Sequence, residues 1–531
     1  MTAIVASQTP PILHGPSEKE RKYDRQLRLW AASGQAALEL ANILVVNAGS
    51  GTVVVETLKN LILPGVGRFT IYDDAAVEEA DLGVNFFLEE ASVGQSRAKC
   101  CTELLLELNP EVEGDWHPKP ESSLDLAELL ESSPTFTMIL YAHPMPQSVL
   151  DLLQKYGEEN KTPLVSVHSA GFYSYFRIRL PGAFPIVDTH PDETATTDLR
   201  LLAPWPELVK FSRDLTANID TLDAHEHGHL PYIAILLHFL EQWRTDHDGK
   251  DPATYKEKTA FRQTVADGAR RDNPEGGEEN FDEAVGAVLR NIERPSLPSG
   301  LREVFEYEAQ GFESTSGFWI IAQAIKQFYE KHKALPLSGK VPDMKAQSKV
   351  YIELQTIYEN KARKDAAEVL AIVRAAPGGM EVDVGEVDIF CKNAAFVKLI
   401  TATPPGENRL AKVFEREMAN DENVEITMAP LSLAPIYLAL QATSHTSSSS
   451  PKEILEKIEQ TVPGASKYER VRLVAEELAR TGGGELHNIS ALTGGMVAQE
   501  MIKIITKQYV PIDNTCIFDG IASRCQILRL Y

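Results

Sequence analysis

The sequence predicts an α/β fold, a doubly wound sheet split by a large, mainly helical insertion. Three observations carry this. Short apolar runs such as "NILVV" (42–46), "TFTMILYA" (135–142) and "PLVSVHSA" (163–170) alternate with helical stretches through the first third of the chain, the pattern of buried parallel strands joined by helices. From Gly171 onward long helical patterns take over. Past residue 481 the strand–helix character returns, so the sheet is expected to be closed by the end of the chain. This divides the sequence into 1–171, a helical insertion over 172–480, and 481–531.

Taken in order, "YDRQLRLWAASGQAALELA" (23–41) is amphipathic, with Leu27, Trp30, Ala37, Leu38 and Ala41 available for one side. "NILVV" is the first strand. Residues 53–63 read as a helix stopped by "PGVG" (64–67), and "RFTIYDD" (68–74) is the next strand. Residues 91–108 predict a further helix closed by Asn109-Pro110, and "QSVLDLLQKYG" (147–157) lies between two strands. "FYSYFRIRL" (172–180) opens a strand pair ahead of helical stretches such as "LPYIAILLHFLEQWRTD". The loop "RRDNPEGGEE" (270–279) reads as mobile and "ATSHTSSSSPKE" (442–453) as low-complexity and disordered. After "GGGELHNI" comes a long apolar-faced helix, then the strands "NTCIFDG" and "SRCQILRLY".

A length of 531 residues exceeds a single core and implies about two to four domains. No apolar run is long enough for a membrane span, and the N-terminal segment through Glu20 reads as a floppy leader rather than a signal peptide. A net charge of −24 argues against nucleic-acid binding, which needs clustered cations. Five cysteines without CxxC spacing argue against a zinc ribbon and suit a reducing compartment, the cytoplasm or nucleus.

The loop after the first strand is Asn47-Ala48-Gly49-Ser50-Gly51-Thr52. A Rossmann-type loop needs glycines where backbone amides approach a phosphate. Gly49 and Gly51 remain, and Asp73 ends the next strand, ~20 residues on, where an acidic residue meets a ribose. Glu78, Glu79, Asp81, Glu89 and Glu90 surround this region, and no arginine lies between Arg68 and Arg97. A triphosphate here is expected to be repelled. The loop reads as a vestige, with Gly49, Gly51 and Asp73 as its remnants.

The segments "YDRQLRLW", "GQAALELANILVVNAGSGT", "ETLKNLILPGVGRFTIYD" and "NFFLEEASVGQSRA" resemble the adenylation domain of the ubiquitin-like-protein activating enzymes, which has a ThiF/MoeB-type, Rossmann-like fold. "DIFCKNAAFVKLI" (388–400) and "ELHNISALTGGMVAQEMIKIITKQYV" (485–510) are similar to the regulatory, non-catalytic class of subunit in the neddylation branch of that family. The resemblance covers nearly the whole chain and is weakest over 245–300 and 440–460. It implies that Asp73 matches a ribose-binding Asp, that the metal-binding Asp falls on Ala75, that the Arg–Gln pair falls on Val84-Asn85, and that the Asn falls on Asp81. Three chemical groups of a working site are thus replaced together, as in the inactive half of a paired domain.

The same resemblance makes Arg25 an arginine supplied in trans to a partner's ATP site, with Arg28 as the fallback. It implies an interface formed by Tyr23, Arg25, Gln26, Arg28, Gly494, Gly495 and Gln499. ATP and Mg would be bound by a catalytic activating subunit, none by this chain. A Nedd-type ubiquitin-like modifier and a conjugating enzyme would complete the set of partners. Cys391, beside Phe390, Ala394 and Ala395, reads as a packed thiol rather than a thioester-forming one. His225, His227 and His229 alternate in "HEHGH"; their spacing does not suit one helical face and no metal site is expected. Competing readings are a self-sufficient nucleotide enzyme, a scaffold or adaptor, and the equivalent subunit for another modifier.

Overall fold

The computed structural model describes residues 17–120, 124–192, 197–270, 277–294, 296–309, 316–401, 409–423, 428–445 and 450–530. Most of the proposed leader, residues 271–276 of the first loop and residues 446–449 of the serine-rich stretch lie outside the described residues. The ends of that serine-rich stretch are ordered. Ser444 accepts a hydrogen bond from the Met145 amide (2.8 Å), and Ser450 caps the helix Pro451–Thr461. Two compact units result, one built from the chain up to Ile186 and from Ile400 onward, the other from Val187–Leu399.

The first unit holds an eight-stranded sheet. Its strands are β1 (Asn42–Val46), β2 (Arg68–Tyr72), β3 (Glu113–His117), β4 (Met138–Ala142), β5 (Leu164–Ala170), β6 (Tyr173–Arg179), β7 (Thr515–Asp519) and β8 (Arg524–Leu528). The order is β8-β7-β6-β5-β4-β1-β2-β3. Strands β3, β2, β1, β4 and β5 pair in parallel; β6, β7 and β8 continue the sheet antiparallel. The run read as opening a strand pair after Gly171 is therefore a central strand of this sheet. Gly171, at φ +55°, makes the tight reversal that places Tyr173 opposite Ala170.

The central strands are buried on both faces, which is why they read as continuous apolar runs. On one face Ile43, Val45, Leu140 and Val167 pack against α2 (Thr52–Ile62) and α4 (His487–Thr506); α1 (Asp24–Glu39) and α3 (Arg97–Leu106) join the same core. On the other face Tyr173, Tyr175 and Ile517 pack against the helices between Arg409 and Thr481. Those helices belong to the sheet unit. The second unit is helical, its core centred on Trp205, Ile233, Leu236, Phe261, Phe281 and Tyr358, with the Tyr358 hydroxyl donating to the Leu199 carbonyl at 2.7 Å.

Parallel strand order reverses between β1 and β4, and in such sheets a ligand crevice opens at the carboxyl ends of the strands there. The 47–51 loop leaves β1 at that point.

Candidate functional site

Two glycines shape the loop. Gly51 precedes α2 with φ +67°, and a Cβ there would lie 1.9 Å from the Asn47 side-chain nitrogen, so no other residue fits. Gly49 has φ +66°. The valines at 53–55 form the first turn of α2 despite their β-branching, because all three are buried.

The start of α2 is occupied by the chain's own carboxylate. Glu485, 8% exposed, accepts from the Ser50 hydroxyl (2.8 Å), the Val53 amide (2.9 Å) and the Ser490 hydroxyl (2.5 Å). Burial pushes its carboxyl above the ordinary value, opposed by these donors and by the charge of Arg97.

Asp73, at the end of β2, is equally engaged. Its two oxygens accept from Asn47 Nδ2 (2.7 Å), Arg97 Nε (2.7 Å), Arg97 Nη2 (3.1 Å) and the Ala75 amide (3.0 Å). Arg97 Nη1 also reaches Asp81 at 3.3 Å, and all three charged groups are buried. Burial lowers the Arg97 pKa, but Asp73 and Asp81 more than offset this, so it rises from its ordinary value and the guanidinium stays charged. Four donors fill a carboxylate's capacity. The wholly acidic surround expected from the sequence is therefore corrected: Glu78, Glu79, Glu89 and Glu90 point to solvent, while a buried cation sits at the centre. Arg97 was legible only as one residue of the "GQSRA" segment; it is the first residue of α3, which Ser96 caps.

Ala75, two residues past Asp73, offers no side-chain group that binds a metal. Asn85 is buried, its carbonyl oxygen accepting from the Phe87 amide (3.1 Å). Phe86 is 67% exposed and stacks on His487, ring centroids 3.7 Å apart.

The expected interface residues separate into two groups. Tyr23 is 2% exposed, its hydroxyl donating to Glu111 (3.0 Å) and accepting from Asn109 (3.1 Å), so it is engaged inside the chain. Gly494 is packed inside the chain too. It lies mid-helix in α4 against α2, where a Cβ would meet Glu56 Cβ and the Thr57 nitrogen at 2.9 Å. Gly495 faces open space and Gln499 is exposed. Arg25 is exposed, its side chain with no hydrogen bond or ion pair to another described residue; Gln26 is half-buried; Arg28 is exposed and paired with Asp24 at 3.0 Å.

In the helical unit Cys391 is 3% exposed, and burial pushes its thiol up to about 12, out of reach of thiolate chemistry at neutral pH. His227 turns inward to Glu278 (2.8 Å), whereas His225 and His229 stack on each other with centroids 4.2 Å apart. Among the described residues no group of three or more His, Cys, Asp or Glu is placed to hold a metal ion. None of the described helices is long and apolar enough to cross a membrane.

The ThiF family model matches residues 23–530. The chain is 35% identical over 547 residues to the NEDD8-activating enzyme E1 regulatory subunit of Xenopus laevis, covering 96% of this chain and 99% of that one. It is 34% identical to the Nedd8-activating enzyme E1 regulatory subunit of Drosophila melanogaster (97% and 98% covered). It is 32% identical to the NEDD8-activating enzyme E1 regulatory subunit AXL of Arabidopsis thaliana (97% and 100%).

Proposed function

The chain belongs to the ThiF family and, within it, to the NEDD8-activating enzyme E1 regulatory subunits, and on that premise we propose how it works. It pairs with a catalytic activating subunit and acts in adenylation of a NEDD8-type modifier without carrying a nucleotide site of its own. The observation that carries this is the state of the crevice beside β1. Glu485 fills the start of α2, Arg97 and Asn47 engage Asp73, and Ala75 stands where a metal carboxylate is required. The residues present do not fit Mg-ATP, so no chemical step is assigned to this crevice.

ATP and Mg are then held by the partner. There the modifier's C-terminal carboxylate attacks the α-phosphorus, pyrophosphate leaves, and an acyl adenylate forms. A thiol of the partner attacks the acyl carbon, forming a thioester and releasing AMP, and a thiol of the conjugating enzyme then takes over the acyl group and frees the partner's thiol. This chain's contribution is structural completion of the paired domain plus one cation. Arg25 is suited to that task because it is exposed and unengaged within the chain. A guanidinium delivered to a developing phosphate charge contributes about 10³–10⁵ in rate in GTPases. Free cysteines throughout are in keeping with the cytoplasm or nucleus.

The test is ATP–pyrophosphate exchange by the purified heterodimer with wild-type chain and with Arg25→Ala. The variant is expected to co-purify with its partner one to one and to lose about 10²-fold or more of the exchange rate. Full activity in the variant makes the chain a scaffold. Exchange by the lone chain restores the self-sufficient enzyme.

A further inference from the structure

The 47–51 loop with α2 has kept the form of an anion site, and most of its donors are in use. Ser50 Oγ, the Val53 amide and Ser490 Oγ converge on one buried carboxylate. Backbone amides and hydroxyls at a helix start are the donors a phosphate group takes. Glu485 reaches them from the turn ahead of α4, more than four hundred residues further along the chain. A second observation points to the same ligand class. Thr52, on the first residue of α2, is 1% exposed, and its hydroxyl has no hydrogen-bond partner. A carboxylate offers two oxygens, and three donors share them here. A tetrahedral phosphate brings further acceptor oxygens, the partners a donor hydroxyl takes.

We propose that Glu485 is a built-in substitute for a phosphate: its side chain plugs the vestigial loop, so this half keeps its fold and its contact between α2 and α4 without bound nucleotide. The plug explains how a subunit can dispense with ATP and still present an ordered domain to a partner. It stands whether or not Arg25 acts in trans, since it concerns the lone chain. Removing the side chain opens a site of phosphate class. The site does not recognise a nucleoside, because Asp73 is saturated by Arg97, Asn47 and its own loop.

The full-length chain is compared as wild type, Glu485→Ala and Glu485→Gln, following the thermal midpoint of the sheet unit while inorganic phosphate is titrated against chloride at matched ionic strength. Wild type is expected to show no phosphate-specific change. Glu485→Ala is expected to melt several degrees lower and to recover as phosphate rises, in the logarithmic manner of a ligand bound only by the native state. Tripolyphosphate and ATP at equal concentration form the second arm. Equal recovery with both supports a phosphate-only site, and a larger recovery with ATP overturns it. A Glu485→Ala chain that responds to phosphate no differently from wild type overturns the plug. Should Glu485→Ala fail to fold, Glu485→Gln decides. A lower midpoint or failure to fold supports a required negative charge, and a midpoint equal to wild type overturns it.

Discussion

Arg97 is the residue on which the crevice turns. Its guanidinium grips Asp73 with two nitrogens and Asp81 with a third, all three side chains removed from water. Burying charges is costly, and such a cluster holds only while every member is paired. Arg97→Ala leaves two carboxylates buried without their cation, and the expected loss is about 3–5 kcal/mol in the unfolding of the sheet unit, read from urea titration followed by circular dichroism. Arg97→Lys is expected to lose much of this too, because an ammonium is a point charge and cannot hold Asp73 by two parallel bonds. A wild-type midpoint for Arg97→Lys refutes the bidentate account. None of this was visible in the sequence. The spacing placed Asp73 at the strand end, but the partner that consumes it sits on another element and becomes a partner only when α3 folds against β2.

At the scale of elements, the approach of α4 to α2 sets the thickness of one layer. Gly494 lies where a methyl group meets backbone at 2.9 Å, while Gly495, the next residue, faces nothing within 4 Å. The pair is its own control. Gly494→Ala forces the helices apart and is expected to cost about 1–3 kcal/mol. Gly495→Ala, in a half-buried helix interior with room for a methyl group, is expected to stabilise by up to about 1 kcal/mol. Comparing the two melting midpoints checks both, and equal effects remove the claim of close packing. The parallel strands and the long helices were legible because apolar runs and helical periodicity report burial directly. β3, "EGDWH", was not, because as an edge strand it is only partly buried and carries charge. The helices between Arg409 and Thr481 read as part of the insertion. Periodicity tells that a helix has a buried face and is silent on which core receives it, and here the receiver is Tyr173, Tyr175 and Ile517. Glu485 was illegible for the same reason, since its donors lie at the other end of the chain.

At the scale of the molecule, the sheet unit must join two stretches of chain separated by the whole helical unit, and part of that join is made at the half-buried His143 and the buried His168. The Ser444 carbonyl accepts from the Met145 amide at 2.8 Å and lies 3.2 Å from His143 Nδ1, while His445 Nδ1 lies 3.0 Å from the Met145 carbonyl. His168 stands beside His143, ring centroids 5.8 Å apart, with Tyr175 against both. Burial pulls His143 down from 6.5 to about 4, with Arg177 and His445 adding to the shift and the Ser444 carbonyl opposing it. Burial likewise pulls His168 down to about 3, with His143 adding and the Leu440 carbonyl opposing. Both are neutral in the folded protein, whereas in the unfolded chain they take up protons below 6.5. The unfolded state therefore gains protons that the native state refuses, and stability present above that value is lost as pH falls toward 4 and then 3. Each histidine contributes a slope of up to about 1.4 kcal/mol per pH unit across this window. Lowering the pH from about 7 to about 5 is accordingly expected to speed hydrogen exchange at the Met145 amide beyond the intrinsic pH dependence of exchange, loosening the join before the strands around β1. His168→Phe keeps a ring beside Tyr175 and removes one titrating group, so its stability should fall less steeply with acid than that of wild type. An unchanged slope in that variant shifts the acid sensitivity to other groups and sinks the claim that these two histidines fasten the early chain to the late one.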